Sequence, residues 1–505
     1  MFMKKNENTD FTQRICMLLL LIALAAIILL CFSNGISGND FWWHVKVGEW
    51  VVKHKEVPTT DIFSWYGTER NISWTAHEWL SDVVFYKIHT GLGDIGIFVF
   101  SVCMAIATIL LMFNQAKEFI KKNILVGGLF FCLFAVTTSL FFYGRPHVFS
   151  YVLFFFELKI LYEFIENRNS KKIYLIPFIA VLWSNLHGGS SNLSYILCSL
   201  FIIVGLFRFE YGRIEAGQLD KKSLIKLTGV ALGSFVGILV NPIGVKVLTY
   251  PYVSLSDSLS MSVISEWQAP DAKLMGNLIL YFLPIAVMTL GIIIGKKKIR
   301  LIDLTIMLVF LFLFFRSARF IVLWYIAATF YAFRYIPELK VKALTKLSEK
   351  IVVSAFAVLL TIPSVMGIAD TVATYRNGTL ISRVMSEEAI EVIKNDMPRR
   401  IYNDYNLGEC LIYYDIPVFY DSRADLYAQE NIMADGISLM YLEPLSEVGY
   451  VDVDAMIGKY QFDAILLLKG RSLYSYIVSH PQKFELVYED KEIGYFRIIG
   501  GGDSE

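Results

Sequence analysis

The chain has 505 residues, of which 55% are hydrophobic and only 18% charged, and its mean hydropathy is +0.52. A composition this apolar excludes a wholly water-solvated protein of this length and makes the bilayer the solvent for much of it. The 46 basic and 46 acidic side chains cancel to a net charge of +0, so no global field draws nucleic acid or an acidic partner.

Taken in order, Met1 to Arg14 is polar and carries Lys4, Lys5 and Arg14. The run Ile15 to Phe32 that follows has the length of a spanning helix and no small-x-small cleavage pattern, which predicts a retained first helix. Further apolar runs of spanning length begin near Asp94, Ile124, Val148, Ile173, Leu193, Leu224, Gly276, Leu301, Phe320 and Ile351. The expected fold is a polytopic α-helical membrane protein of about eleven transmembrane helices with a C-terminal α/β domain outside the membrane.

Basic residues cluster at every second connection: Lys117/Lys121/Lys122, Arg168/Lys171/Lys172, Lys221/Lys222/Lys226, Lys296/Lys297/Lys298/Arg300 and Lys340/Lys342/Lys346/Lys350. The positive-inside rule makes these connections and the N-terminus cytoplasmic. An odd number of spans then puts a large first loop, residues 33–93, and the tail from about residue 370 on the outer side. The expected division is a transmembrane part, 1–370, and a soluble part, 371–505.

The tail changes composition, with Asn, Asp and Gly punctuation. A helix is predicted over Ser382 to Asp396, and strands over Arg400 to Tyr402, Cys410 to Tyr414, Val418 to Tyr420, Ala464 to Leu468 and Glu485 to Tyr488. It holds no Gly-rich phosphate loop and no nucleophile elbow. Five cysteines lie in or at the end of apolar runs and only Cys410 lies in the tail, so no disulfide framework or Cys/His zinc spacing is present.

The expected topology gathers the polar and ionisable residues near the outer helix ends. The first loop supplies Asp40, His44, Glu49, Asp61, His77, Glu78 and Asp82 among six tryptophans. Short outer connections add Arg145 and His147, Asn185 and His187, Asn241, Glu266 and Asp271, and Arg316 and Arg319. Ionisable groups at membrane depth are costly and normally face a bundle interior or water-filled cavity, which makes these a candidate functional site.

Each feature also has a plainer reading. Trp42, Trp43, Trp50, Trp65, Trp74 and Trp79 suit an interfacial aromatic belt, and Asp40 suits a helix N-cap. His77 and Glu78 are neighbours and diverge by about 100° on a helix, and Glu78 alone suits a helix start. Arg145, Arg316 and Arg319 could snorkel to outer headgroups, although a guanidinium also fits a phosphate bidentately. His187 could be a core histidine bonded to Asn185. In the tail, Asn403, Asp404, Asp421, Arg423 and Asp425 occupy turn-prone positions, where they either contact a saccharide or cap turns and pair with one another.

The strings DFWWHVKVGEW, PTTDIFSW and AHEWLSD, then RPH, NLHGG, NPIG, EWQAPD, RSARF and YNDYNLGECLIYYDIPVFYDSRADLY, span nearly the whole chain. With an Asp just after the first helix, they resemble the C-type (GT-C) glycosyltransferase superfamily, near the bacterial protein mannosyltransferases and aminoarabinose transferases and a group of similar bacterial membrane proteins.

The resemblance implies transfer of a sugar from a polyprenyl-phosphate-linked donor to an extracytoplasmic acceptor (a cell-envelope glycan, lipid or protein) at a bacterial plasma membrane. It makes Asp40 the catalytic carboxylate, as base or metal ligand. Relatives often carry two adjacent acids there, but Phe41 follows Asp40, so a second acid would come from Asp61, Glu78 or Glu266. Displacing a lipid phosphate needs a carboxylate for the acceptor hydroxyl and cations for the leaving phosphate, roles that suit Asp40 and Arg145, Arg316 and Arg319. His44, four residues after Asp40, shares its helix face and could join it on a divalent cation. A transporter and a noncatalytic envelope-assembly scaffold are the rival classes, but transporters place such residues near the midplane in repeated halves, and no repeat is visible.

Overall fold

A computed structural model describes residue 25 and residues 40–139, 141–337, 384–427, 431–444 and 450–499. The apolar runs beginning at Ile15 and Ile351 lie outside the described residues. The chain folds as two compact units. One comprises Met1–Gly35, Ile95–Leu248 and Ile264–Ala373; the other comprises Ile36–Asp94, Thr249–Val263 and Thr374–Glu505. The first loop therefore groups with the tail, whereas the sequence reading kept it with residues 1–370.

In the first unit the apolar runs are helical: Ile124–Ser139, His147–Glu166, Ile176–Leu186, Leu193–Gly205, Lys221–Ile238, Leu283–Ile294, Leu301–Arg316 and Ile321–Tyr335. Trp79–Lys122, Gly188–Gly205 and Met275–Ile294 are long and apolar enough to cross a membrane. Phe178, Leu232, Ile293 and Phe312 remain exposed on the helix surfaces, as side chains solvated by lipid would be. Helix Ile321–Tyr335 is instead buried on nearly every face. A helix apolar all round belongs at the centre of a bundle; it packs against Leu301–Arg316 and His147–Glu166.

Polar groups close one end of this bundle. Arg300 Nε and Nη2 each donate to the Asp303 carboxylate at 2.9 Å, and Tyr335 also donates to it. Strands β1 (Phe209–Tyr211), β2 (Ile214–Ala216) and β3 (Ile299–Arg300) form a small sheet in that order, β1 antiparallel and β3 parallel to β2. Between β1 and β2, Arg213 donates to the carbonyls of Ile292, Ile293 and Lys297. It thereby satisfies orphan acceptors at the end of helix Leu283–Ile294.

The helix Trp79–Lys122 is broken at Gly93 (φ 63°, ψ −157°), a left-handed conformation that glycine adopts without Cβ strain. The break lies next to the chain boundary between the two units.

In the second unit, helix Phe41–His54 carries Phe41, Trp42, Trp43, His44, Val45 and Val47 buried. Trp42, Trp43, Trp65 and Trp74 are core side chains of this unit, which differs from the aromatic-belt reading. Trp65 stacks on Phe419 and its Nε1 donates to Ile401 O at 3.0 Å. Backbone bonds from Trp65 N to Val418 O (2.9 Å) and from Val418 N to Phe63 O stitch loop to tail. Gly48 lets helix Phe41–His54 approach residue 82: a Cβ there would lie 2.0 Å from Asp82 O. Backbone cannot yield as a flexible side chain does, so Gly48→Ala is expected to cost at least about 1–3 kcal/mol, read as a lower melting midpoint in detergent. An unchanged midpoint would show that the approach is looser.

The tail contains helix Glu387–Asp396, capped by the Ser386 hydroxyl on Ala389 N, and a four-stranded sheet. Its strands are β4 (Ile401–Asn403), β5 (Ala464–Leu468), β6 (Phe484–Glu489) and β7 (Ile493–Ile498), in the order β4-β5-β7-β6. β4 is parallel to β5, and β7 is antiparallel to both neighbours. Two expected strands are corrected. Gly408–Tyr413 is a helix, because a short apolar run with burial on several sides looks alike as strand or helix. Val418 forms a single bridge to Ser64 rather than a strand.

Candidate functional site

Asp40 is half-buried and directly precedes helix Phe41–His54. Its side chain makes no capping hydrogen bond to that helix, so the N-cap role does not account for it. Its carbonyl accepts from His44 N at 3.2 Å, which puts His44 one turn on. His44 turns to other acids: Nδ1 lies 2.6 Å from Asp82 Oδ1, and Nε2 3.9 Å from Glu78 Oε2. His77 Nε2 lies 3.6 Å from Glu78 Oε1, so Glu78 sits between two histidines. The obstacle foreseen for His77 and Glu78 disappears because both lie in a turn before the helix starts at Trp79. His77 also stacks on Tyr250 at 3.7 Å, and Trp43 lies 3.7 Å from the His44 ring.

Among the described residues no group of three or more His, Cys, Asp or Glu side chains could hold a metal ion. No step is routed through a metal.

Asp61 is buried and committed to structure. Oδ1 accepts from Phe63 N at 3.0 Å, and Arg423 Nη1 lies 2.9 Å from the same oxygen. Arg423 grips Asp421 through Nε (2.9 Å) and Nη2 (2.7 Å), donates to Tyr427 and lies 4.7 Å over the Trp74 ring. Asn403 bonds the backbone at Phe419, Tyr420 and Asp404, and Asp404 binds Arg471 Nε at 2.6 Å. These tail polar groups cap and pair with one another. Burial raises Asp425 to about 6, against the pull of Arg423 and a hydrogen bond from Tyr250.

The first unit brings three sequence-flagged segments together. Arg145 Nη1 donates to Glu266 at 2.8 and 3.1 Å and to Tyr143 at 2.8 Å. Ser317 Oγ donates to Glu266 O at 2.9 Å, and the Arg319 guanidinium lies 5.6 Å over Trp267. His147 Nε2 bonds Phe141 O at 2.6 Å. Arg316 is exposed at the end of its helix. The cluster places two guanidiniums around one carboxylate, an excess of positive charge suited to an anionic group.

Burial acts to raise the Glu266 carboxyl, but Arg145, Arg319 and His147 together hold it at about 2. A carboxylate depressed in the folded state contributes stability above its unfolded value near 4.5, and that contribution is lost as pH falls toward about 2. The melting midpoint is therefore expected to fall in this acid window and to fall less for Glu266→Gln. Equal acid slopes would contradict the pairing.

The remaining helix-end residues act as staples. His187 Nδ1 lies 2.6 Å from Ser150 Oγ and 2.7 Å from Ser190 Oγ, so it is a bonded core histidine. Asn185 Nδ2 donates to Val181 O and Val240 O, both at 2.8 Å. Asn241 Nδ2 donates to Ser184 O at 2.7 Å. These bonds tie the end of helix Ile176–Leu186 to the end of Lys221–Ile238.

Sequence reasoning missed Glu409, a buried acid in the first turn of helix Gly408–Tyr413 whose charge environment includes Asp40 and Asp421. Its signal was an acid within an otherwise apolar run, hidden by the strand reading. It also missed Tyr143, which bridges Arg145 and Glu266.

No protein-family model matches the chain, and no curated protein matches it. Among solved structures, the oligosaccharyltransferase of Archaeoglobus fulgidus in its apo form aligns with a TM-score of 0.48 and 11% identity, over 90% of this chain and 69% of that one. The archaeal oligosaccharyltransferase AglB from Archaeoglobus fulgidus, in complex with an inhibitory peptide and a dolichol-phosphate, aligns at 0.47 and 12%, with the same coverage. Likeness of this order fixes neither fold nor activity.

Proposed function

We propose that the chain is a GT-C-type membrane glycosyltransferase, moving a sugar from a polyprenyl-phosphate-linked donor to an extracytoplasmic acceptor in the envelope of a bacterial plasma membrane. The reading takes the eleven spans at face value, with the N-terminus cytoplasmic and the first loop and tail outside. Asp40 takes the proton of the acceptor hydroxyl, and Glu78 holds His44 and His77 beside it. Within the first unit, Arg145 and Arg319 form a cationic cluster of the kind that suits a phosphate. Preorganised cations at a developing charge lower the barrier without reorganising during the reaction.

The observation that carries the reading is Asp40 itself: a half-buried carboxylate directly before helix Phe41–His54 whose side chain does not cap that helix, one turn before His44. Cells lacking the chain should accumulate one lipid-linked sugar and lose one outer-surface glycan, both read by mass spectrometry. Unchanged pools of both would rule the reading out, and an undecorated substrate trapped inside the cell would point to transport.

A further inference from the structure

We propose that the second unit carries a further binding site, a groove along the C-terminal half of helix Phe41–His54 that takes an uncharged saccharide. The inference goes beyond glycosyl transfer and does not rest on it, since the groove bears no residue assigned to that reaction.

The groove has a volume of about 270 Å³ and lies between this helix, Ile62 and Phe63, and residues 412–417 of the tail. Lys46, Glu49, Trp50, Lys53 and His54 line it, and their spacing of three and four residues gathers them on one helix face. Lys46 lies about 200° around the helix from His44, so this face is not the one that turns His44 to Asp82.

The lining selects the ligand. Trp50 and His54 stack at 4.4 Å with 23° between their planes. Trp50 is only partly buried, whereas Trp42, Trp43, Trp65 and Trp74 are core side chains of the same unit. An aromatic ring beside water offers an apolar surface that the C–H side of a sugar ring can cover. The charged groups among the described lining residues cancel. Lys46 Nζ lies 2.7 Å from Glu49 Oε2 and 2.6 Å from Asp415 Oδ1, and Lys53 Nζ lies 2.6 Å from Glu49 Oε1. Each ammonium is matched to a carboxylate, so the groove has no surplus positive charge to draw a phosphate. It presents ammonium donors and carboxylate acceptors side by side, and a sugar hydroxyl, which both donates and accepts, can use both. The Lys53 and Asp415 side chains are 61% and 77% exposed, within reach of a ligand from solvent.

The tail side of the groove is preorganised. Asp415 adopts a left-handed backbone (φ 60°), which Asp tolerates better than most side chains. Asp415 N bonds Ile412 O and Ile416 N bonds Leu411 O, both at 3.0 Å, and Ile412 and Ile416 are buried on either side of it in sequence. A carboxylate held this way loses little freedom when a ligand binds.

The test uses the purified full chain in nanodiscs with no lipid-linked sugar present. Saturation-transfer NMR follows disaccharides of glucose, galactose, mannose, rhamnose and N-acetylglucosamine, each titrated to about 10 mM. At least one should bind saturably. Trp50→Ala should weaken that binding at least about tenfold, and Asp415→Asn about three- to tenfold, with melting midpoints preserved. Inorganic phosphate at equal concentration should not displace the sugar.

No binding by any of these disaccharides, unchanged affinity in either variant, or displacement by phosphate would overturn the proposal. If Trp50→Ala fails to fold, Asp415→Asn decides, because its side chain is exposed: weakened binding supports the groove and unchanged affinity overturns it. With no donor present, none of these outcomes bears on sugar transfer by Asp40.

Discussion

Asp40→Asn should lower sugar transfer by about 10²- to 10⁴-fold, the range a positioned general base supplies, while expression and melting midpoint stay at wild-type values. The two halves follow from different observations. The chemical half follows because an amide has no lone pair basic enough to take a hydroxyl proton, yet nearly matches the carboxylate in shape. The structural half follows because the Asp40 side chain does not cap helix Phe41–His54 and is only half-buried. The measurement pairs transfer in membranes with thermal melting in detergent. Loss of both together would make Asp40 a folding residue; loss of neither would remove it from the mechanism.

Arg423→Met should have the largest effect on stability. The guanidinium sits between Asp61 and Asp421, 3% and 0% exposed, and lies over the faces of Phe63 and Trp74. Removing one partner of a buried charge network leaves uncompensated charge and costs about 3–5 kcal/mol; here two carboxylates lose their partner at once. Arg423→Lys should recover only part of this, since an ammonium cannot reproduce the forked contact to Asp421. Changing Asp61 and Asp421 to Asn along with Arg423→Met should recover more, because the buried charges then disappear together. Limited proteolysis gives the readout: Arg423→Met should open the first loop, residues 40–94, to cleavage that wild type resists. Equal resistance would mean that the aromatic packing around Trp65 and Phe419 suffices.

The helices of the first unit were legible because a bilayer demands long apolar runs, and the runs starting at Ile124, Val148, Leu224, Leu301 and Phe320 reappear as helices with ends displaced by a few residues. The convergence of Arg145, Glu266 and Arg319 was foreshadowed by their positions at run ends. What escaped the sequence depends on tertiary partners. The tryptophans of the first loop looked like interfacial anchors because nothing in their spacing reveals a tail that covers them. Gly408–Tyr413 looked like a strand because CLIYY is apolar on every face, and that error hid Glu409. The pairing of Asp61 with Arg423 joins residues 362 positions apart, a relation no local pattern encodes.

The central claim is that Asp40 serves sugar transfer from a lipid phosphate. Its most direct test is the purified full chain in liposomes supplied with a lipid extract of the deletion strain as donor and the remaining envelope fraction of that strain as acceptor, following the lipid-linked sugar by mass spectrometry for wild type and Asp40→Asn side by side. The account predicts consumption of one lipid-linked sugar by the wild type, with its lipid phosphate appearing in step, and about 10²-fold slower consumption or less by Asp40→Asn. Equal consumption by the two proteins would contradict it.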